Sequence, residues 1–217
     1  MVRLPTVGRA LLLLGLLLAV GACSAVRSTY LRPGYDGRDP AAIKRIAVLG
    51  WGGAGAPAVG DVLARVTADQ VKLSRNYMVH RVGSASQWTA GCEVAQGSPV
   101  IDGVLLLRAL EHGVRDAEAS LNVAVELYRC SDGALVWRAE GSRRSASQDD
   151  SLTDLVATYG RELGTQARLY AAPAFLLLMQ LLDSLPNPSL NDAEILEKIE
   201  LGDLGALPQE VACVRQP

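Results

Sequence analysis

The sequence predicts an α/β domain of the α+β kind, with one mixed β-sheet of about five strands, part of it an antiparallel meander, and helices packed on it. Three observations predict this. Between residues 43 and 82 a strand-like run, a helical period and a second strand-like run follow one another. Residues 100–140 hold three more β-prone runs joined by short connections. From residue 150 the apolar spacing changes to that of helices.

The chain opens with a segment that precedes any fold. Arg3 and Arg9 lead into an apolar stretch starting at Ala10, which ends in Leu17-Leu18-Ala19-Val20-Gly21-Ala22-Cys23. A basic start, an apolar core and a small-residue cleavage site are the layout of a secretory signal. Residues 10–20 rise only about 17 Å as a helix, against a hydrocarbon core of about 30 Å, so they are too short to span. Residues 1–22 therefore read as a signal peptide. Residues 23–42 contain Pro33, Gly34, Gly37 and Pro40 among Arg and Asp without apolar periodicity, which predicts a flexible tether.

The globular domain is expected over 43–185. Ile43-Lys44-Arg45-Ile46-Ala47-Val48-Leu49 reads as a strand ended by Gly50. Residues 56–74 follow with Val59, Val62, Leu63, Val66, Val71 and Leu73, most of them at helical spacing, and Pro57 in the first turn. Residues 77–82 read as a second strand and 84–98 as a loop with a short helix. The run around Ile101 to Leu107 is apolar throughout, as in a central strand covered on both faces. Leu121, Val123, Val125 and Leu127 alternate with more polar neighbours, predicting a strand with one buried face. Ser131-Asp132-Gly133 is a hairpin turn, and residues 134–140 return with Leu135 and Trp137 on one side. Residues 150–169 form an amphipathic helix that Asp150 or Ser151 can cap. Pro173 restarts a helix through Leu185, read as a core helix. Residues 186–217 are an extension containing a short charged helix from Asp192 to Leu201.

Charge excludes some functions. The chain holds 21 basic and 23 acidic residues, and two of the basic ones lie in the acid-free signal, so the remainder carries 19 against 23, a net charge of −4. That argues against a nucleic-acid partner and against a polybasic grip on anionic lipid. Cys92, Cys130 and Cys213 suit one disulfide plus one thiol in an oxidising compartment, with all three pairings open.

No motif specifies a reaction. Gly50-Trp51-Gly52-Gly53-Ala54-Gly55 fits G-x-G-x-x-G between a strand and a helix, but the second strand ends in Arg81-Val82-Gly83 rather than the acid a ribose needs. It reads as a flexible turn. His80 and His112, the only histidines, stand at no ligand spacing from Cys or carboxylate. Gly83-Ser84-Ala85-Ser86 lacks the second glycine of a nucleophile elbow, and Asp149-Asp150 reads as a helix start. Arg143 and Arg144 read as a solvated hairpin edge, and Tyr128 and Trp137 as packing. Neither a catalytic, a cofactor-binding nor a metal residue is assigned.

Val20-Gly21-Ala22-Cys23 resembles the bacterial lipoprotein signal, in which the cysteine is lipidated and becomes the new N-terminus. Cys23 is thus the one assigned site, a lipidation site. Ser24, with no Asp in its place, implies by the same resemblance the outer membrane with the body in the periplasm. From Ile43 onward the chain resembles an uncharacterised family of bacterial lipoproteins. The features that carry it are Ile43-Lys44-Arg45-Ile46-Ala47-Val48, Asp102-Gly103-Val104-Leu105-Leu106-Leu107, Tyr128-Arg129-Cys130-Ser131-Asp132-Gly133 with Val136-Trp137-Arg138, and Leu185-Pro186-Asn187-Pro188. More distantly it is similar to the periplasmic domain of the curli secretion-channel lipoprotein and to lipoproteins that activate peptidoglycan synthases. The resemblance implies a non-catalytic binding or assembly protein, held to the membrane by its N-terminal lipid and partnered by another envelope protein or by itself. An envelope hydrolase with an unrecognised site, or a lipid or small-molecule carrier with an apolar cavity beneath residues 174–185, are the alternatives.

Overall fold

Apolar runs with one helix between them pair side by side in parallel, and runs joined by two-residue turns pair antiparallel. Both happen here within one sheet. The computed structural model describes residues 25–39, 41–85, 92, 101–146 and 150–202. Its six strands are β1 (Val26–Leu31), β2 (Arg45–Trp51), β3 (Met78–Ser84), β4 (Gly103–Arg115), β5 (Glu118–Arg129) and β6 (Leu135–Ala146), in the order β1-β6-β5-β4-β2-β3. β2 runs parallel to β3 and β4, and every other pairing is antiparallel. The helices are α1 (Pro57–Ser74), α2 (Thr153–Leu163), α3 (Thr165–Leu182) and α4 (Asp192–Glu200). α1 and α3 lie on one face of the sheet, and Ile46, Val48, Leu105, Leu107, Leu121, Val123, Val125 and Leu127 meet them from the strands in one core.

The sequence reading undercounts the strands by one. The sixth is β1, inside the stretch 23–42 assigned as a tether. It lacks an apolar period because it is an edge strand whose side chains are mostly exposed. Backbone pairing with β6 holds it, and at either end Ser142 N–H donates to the Ala25 carbonyl and Arg32 N–H to the Val136 carbonyl. Residues 33–39 are also docked, since Ile43 N–H donates to the Tyr35 hydroxyl and Ser189 N–H to the Gly37 carbonyl. The described part of the stretch is thus bound to the body.

β5 is buried on both faces rather than one. Leu121, Val123, Val125 and Leu127 face the helices, and Asn122, Ala124 and Glu126 are buried on the other side. On that side Ala47, Leu49, Val104 and Leu106 form a second small core with Cys92, Ile101, Tyr128 and Cys130. β4 is central, as expected, and joins β5 through a tight turn in which Asp116 and Ala117 both take positive φ.

The helical boundary also differs. α2 ends at Gly164, whose φ of 92° suits glycine, and α3 runs straight through Pro173. The N–H that proline lacks costs a helix bond, and burial of Pro173 with Leu177, Leu178 and Leu181 offsets it. These leucines make α3 a core helix. The N-cap position is Leu152 rather than the expected Asp150 or Ser151: a 3₁₀ turn over Asp150–Leu152 leads into α2, and Leu152 makes no side-chain capping bond. α4 is capped reciprocally, Asn191 Oδ1 accepting from Glu194 N–H and Glu194 Oε2 from Asn191 N–H. Among the described residues no helix is long and apolar enough to cross a membrane.

Candidate functional site

Charged residues gather where β2 and β4 begin and β5 ends. Asp102 sits just ahead of β4 and accepts backbone N–H bonds from Lys44 (3.3 Å) and Arg45 (2.9 Å), tying the entries of the two parallel strands together. Gly103 follows because a Cβ there would press on Ile43 and on the Tyr128 carbonyl. α4 then lies across this end. The Lys44 ammonium donates to both oxygens of Glu194 (2.8 and 2.9 Å), and the Arg45 guanidinium donates to both oxygens of Glu197. His80 Nε2 stands 3.0 Å from the same Glu197. Lys198, fully buried, donates to the Arg75 and Tyr77 carbonyls. A polar cleft of about 450 Å³ opens beside this clamp, lined by Lys44, Arg45, Asp102, Arg129, Ser131 and Glu194 among others.

The pairing shifts the acids. Burial pushes the Glu194 carboxyl up, but Lys44 and the Asn191 N–H outweigh it and hold it below its usual value. The Arg45 guanidinium lowers Glu197, with His80 adding to the effect, and Glu197 in turn raises Arg45. A depressed carboxylate contributes stability that is fully present above its unfolded pKa, near 4.5, and is lost as pH falls through the folded value. Acidification below about pH 4 is therefore expected to free α4 before the sheet unfolds. Hydrogen exchange at residues 192–200 checks this: it should accelerate in acid while β4 and β5 stay protected. Simultaneous loss of protection in all three would refute it.

The sheet face away from the helices carries a second charged group. Glu126, almost fully buried, lies 3.5 Å from Arg138 Nη1 and accepts from the Tyr128 hydroxyl at 3.0 Å, while Arg138 Nη2 donates to Glu140 at 3.1 Å. Burial together with the Glu126 charge pushes the Tyr128 hydroxyl up to about 12. Such a tyrosine stays protonated and works as a hydrogen-bond donor, and the carboxylates in both groups are committed to cations.

Several residues singled out in the sequence acquire definite places. The glycines of the G-x-G-x-x-G run let α1 approach: a Cβ on Gly50 would overlap the Gly60 carbonyl, and one on Gly52 would overlap the Ala56 carbonyl. The motif is a packing device. His80, at no ligand spacing along the chain, meets a carboxylate across 117 positions. His112 stacks edge-on against Tyr170 at 5.7 Å. Trp137 is buried, with its Nε1–H donating to Ser184 Oγ. Cys92 and Cys130 form a disulfide. Cys23, Cys213, Ser86 and Asp149 lie outside the described residues. Among the described residues no three His, Cys, Asp or Glu side chains gather as a metal site.

The α4 clamp was not foreseen. Its pairs are some 150 residues apart, and the only signals are Lys44-Arg45 ahead of an apolar run and two acids three apart on a charged helix.

No protein-family model matches this chain, and no curated protein does. Among solved structures it is similar to a PelC dodecamer from Paraburkholderia phytofirmans (20% identity, 73% of this chain and 98% of that one, TM-score 0.45). It is also similar to the hypothetical protein CT253 from Chlamydia trachomatis (11% identity, 65% and 92%, TM-score 0.39). A third is lipoprotein GNA1162 from Neisseria meningitidis (15% identity, 55% and 96%, TM-score 0.37). Likenesses this loose transfer no activity, partner or assembly.

Proposed function

We propose that the chain is a lipid-anchored lipoprotein of the bacterial outer membrane, facing the periplasm, that works by binding another envelope protein or copies of itself and not by catalysis. The observation that carries the reading is the lipoprotein-type signal ending at Cys23, three residues before β1 starts at Val26. One acyl chain holds a protein only marginally, whereas several on one cysteine hold it stably. The Cys92–Cys130 disulfide supports an oxidising compartment. Two sheet edges, β1 and β3, offer backbone groups for strand pairing with a partner. The carboxylates nearest the polar cleft are held in ion pairs and backbone bonds, which favours a structural role for them over acid–base work.

Metabolic labelling with a fatty acid tests the anchor. Wild type should take the label and sediment with membranes, and Cys23→Ala should lose both almost completely. In-cell crosslinking tests the role: a discrete adduct with an envelope protein or with a second copy is expected, and a labelled protein that crosslinks to nothing would refute binding.

A further inference from the structure

α4 is fastened to the body by charge and hydrogen bonds, with little apolar burial. Among the described residues neither apolar core includes a residue of α4, and only Ile195 and Lys198 of the helix are buried. A cradle at the entries of β2 and β3 holds it. Lys44 meets Glu194, Arg45 and His80 meet Glu197, and Lys198 reaches the Arg75 and Tyr77 carbonyls. The cradle thus fits one shape of ligand, a helix with carboxylates three positions apart and an amine on the next residue. Every further copy of the chain brings the same helix.

The chain before α4 is bound to the body, and α4 is bound to itself. The Tyr77 hydroxyl donates to the Pro186 carbonyl, Asn76 N–H to Asn187 Oδ1, Asn76 Nδ2 to the Pro188 carbonyl, and Ser189 N–H to the Gly37 carbonyl. From Asn191 the bonds run inside the helix, through the reciprocal cap with Glu194 and from Ile195 N–H to the Asn191 carbonyl. Leu190 alone separates the two sets. Rotation about its backbone dihedrals swings α4 away as a unit, and the only bonds broken are those of the cradle.

Exchange of α4 between two copies remakes in trans every cradle bond broken in cis. The cost is the entropy of association and a new setting of Leu190. Copies anchored on one membrane meet at raised effective concentration, which favours the exchanged pair. We infer that two copies swap α4, each helix lying in the Lys44–Arg45–His80 cradle of the other copy. The inference deepens the self-association reading above and rests on it.

Isotope-mixed crosslinking tests it. Lys44 Nζ and the Glu194 carboxylate, 2.8 Å apart, are within reach of a zero-length carbodiimide. Heavy-isotope and ordinary copies of the full lipidated chain are mixed in equal amounts in vesicles, coupled and digested, and the peptides joining Lys44 to Glu194 are weighed. With complete exchange about half of them pair a heavy with a light partner, and that share should rise with the density of protein in the membrane. No mixed pair at any density would overturn the proposal. Charge reversal checks the cradle. Lys44→Glu/Arg45→Glu and Glu194→Lys/Glu197→Lys should each alone associate at least about tenfold less than wild type, and their mixture should recover association. A mixture that does not recover it would overturn the proposal. So would a carboxylate of another protein joined to Lys44 in place of Glu194, which would assign the cradle to that protein. Unmixed pairs beside a crosslinked homo-adduct in cells sink the exchange alone, whereas no adduct of any kind sinks the binding reading with it.

Discussion

Gly50→Ala is expected to destabilise the protein by about 3 kcal/mol, a large share of the stability of an ordinary domain. The cause is contact between two backbones. At Gly50 the end of β2 passes under α1 so closely that an added methyl would overlap the Gly60 carbonyl and press on the Ala64 N–H. Neither neighbour is a flexible side-chain tip that can swing away. The strand or the helix must shift, and both carry core residues: Ile46 and Val48 from β2, Val59, Val62, Leu63 and Val66 from α1. Gly83→Ala in β3 is the control. Its Cβ would meet nothing within 4 Å, and its effect should stay within about 0.5 kcal/mol. Urea midpoints of the two variants against wild type settle the comparison, and a Gly50→Ala midpoint equal to that of Gly83→Ala would show that the helix gives way freely.

The same glycines show how far the sequence can be read. Gly50 and Gly52 could be seen to stand between a strand and a helix, but a turn that admits a phosphate and one that admits a helix ask for the same residue type. Only the place of Gly60, ten residues on and facing back, decides between them. The first half of β4 was legible because it is covered on both faces and apolar from Gly103 to Leu107, whereas its exposed continuation to Arg115 carries no such run. β5 was only half legible. Asn122 and Glu126 look like solvent positions, yet they are buried on the second face, where Glu126 meets Arg138 and Tyr128. β1 was illegible because an edge strand is specified by backbone pairing, which leaves no period in its side chains. The α4 clamp is a matter of which distant charges meet, and single-chain spacing does not record that.

Removing the Cys92–Cys130 bridge is the other change with a large expected effect. The bond joins positions 38 apart, and closing a loop of that length in the unfolded chain is worth about 4 kcal/mol in the chain-entropy account. The native state loses something as well. Cys92 and Cys130 both pack against the second small core of Ala47, Leu49, Val104 and Leu106, so the bridge also holds residue 92 over an apolar patch of the sheet. Cys130 N–H donates to the Asp102 carbonyl, which places the bridge one residue pair from the strand-entry network of Lys44 and Arg45. The double variant Cys92→Ala/Cys130→Ala should therefore unfold at a urea midpoint about 2 M lower than the oxidised wild type, taking a slope of about 2 kcal/mol per M. Wild type in reductant should fall to nearly the same midpoint, and reductant should leave the double variant unmoved. Coincident midpoints for oxidised and reduced wild type would mean that the loop is already closed by other contacts. If the expected gap holds, a chain whose signal is deleted and which stays in a reducing cytosol lacks this contribution, so its stability depends on export as well as on sequence.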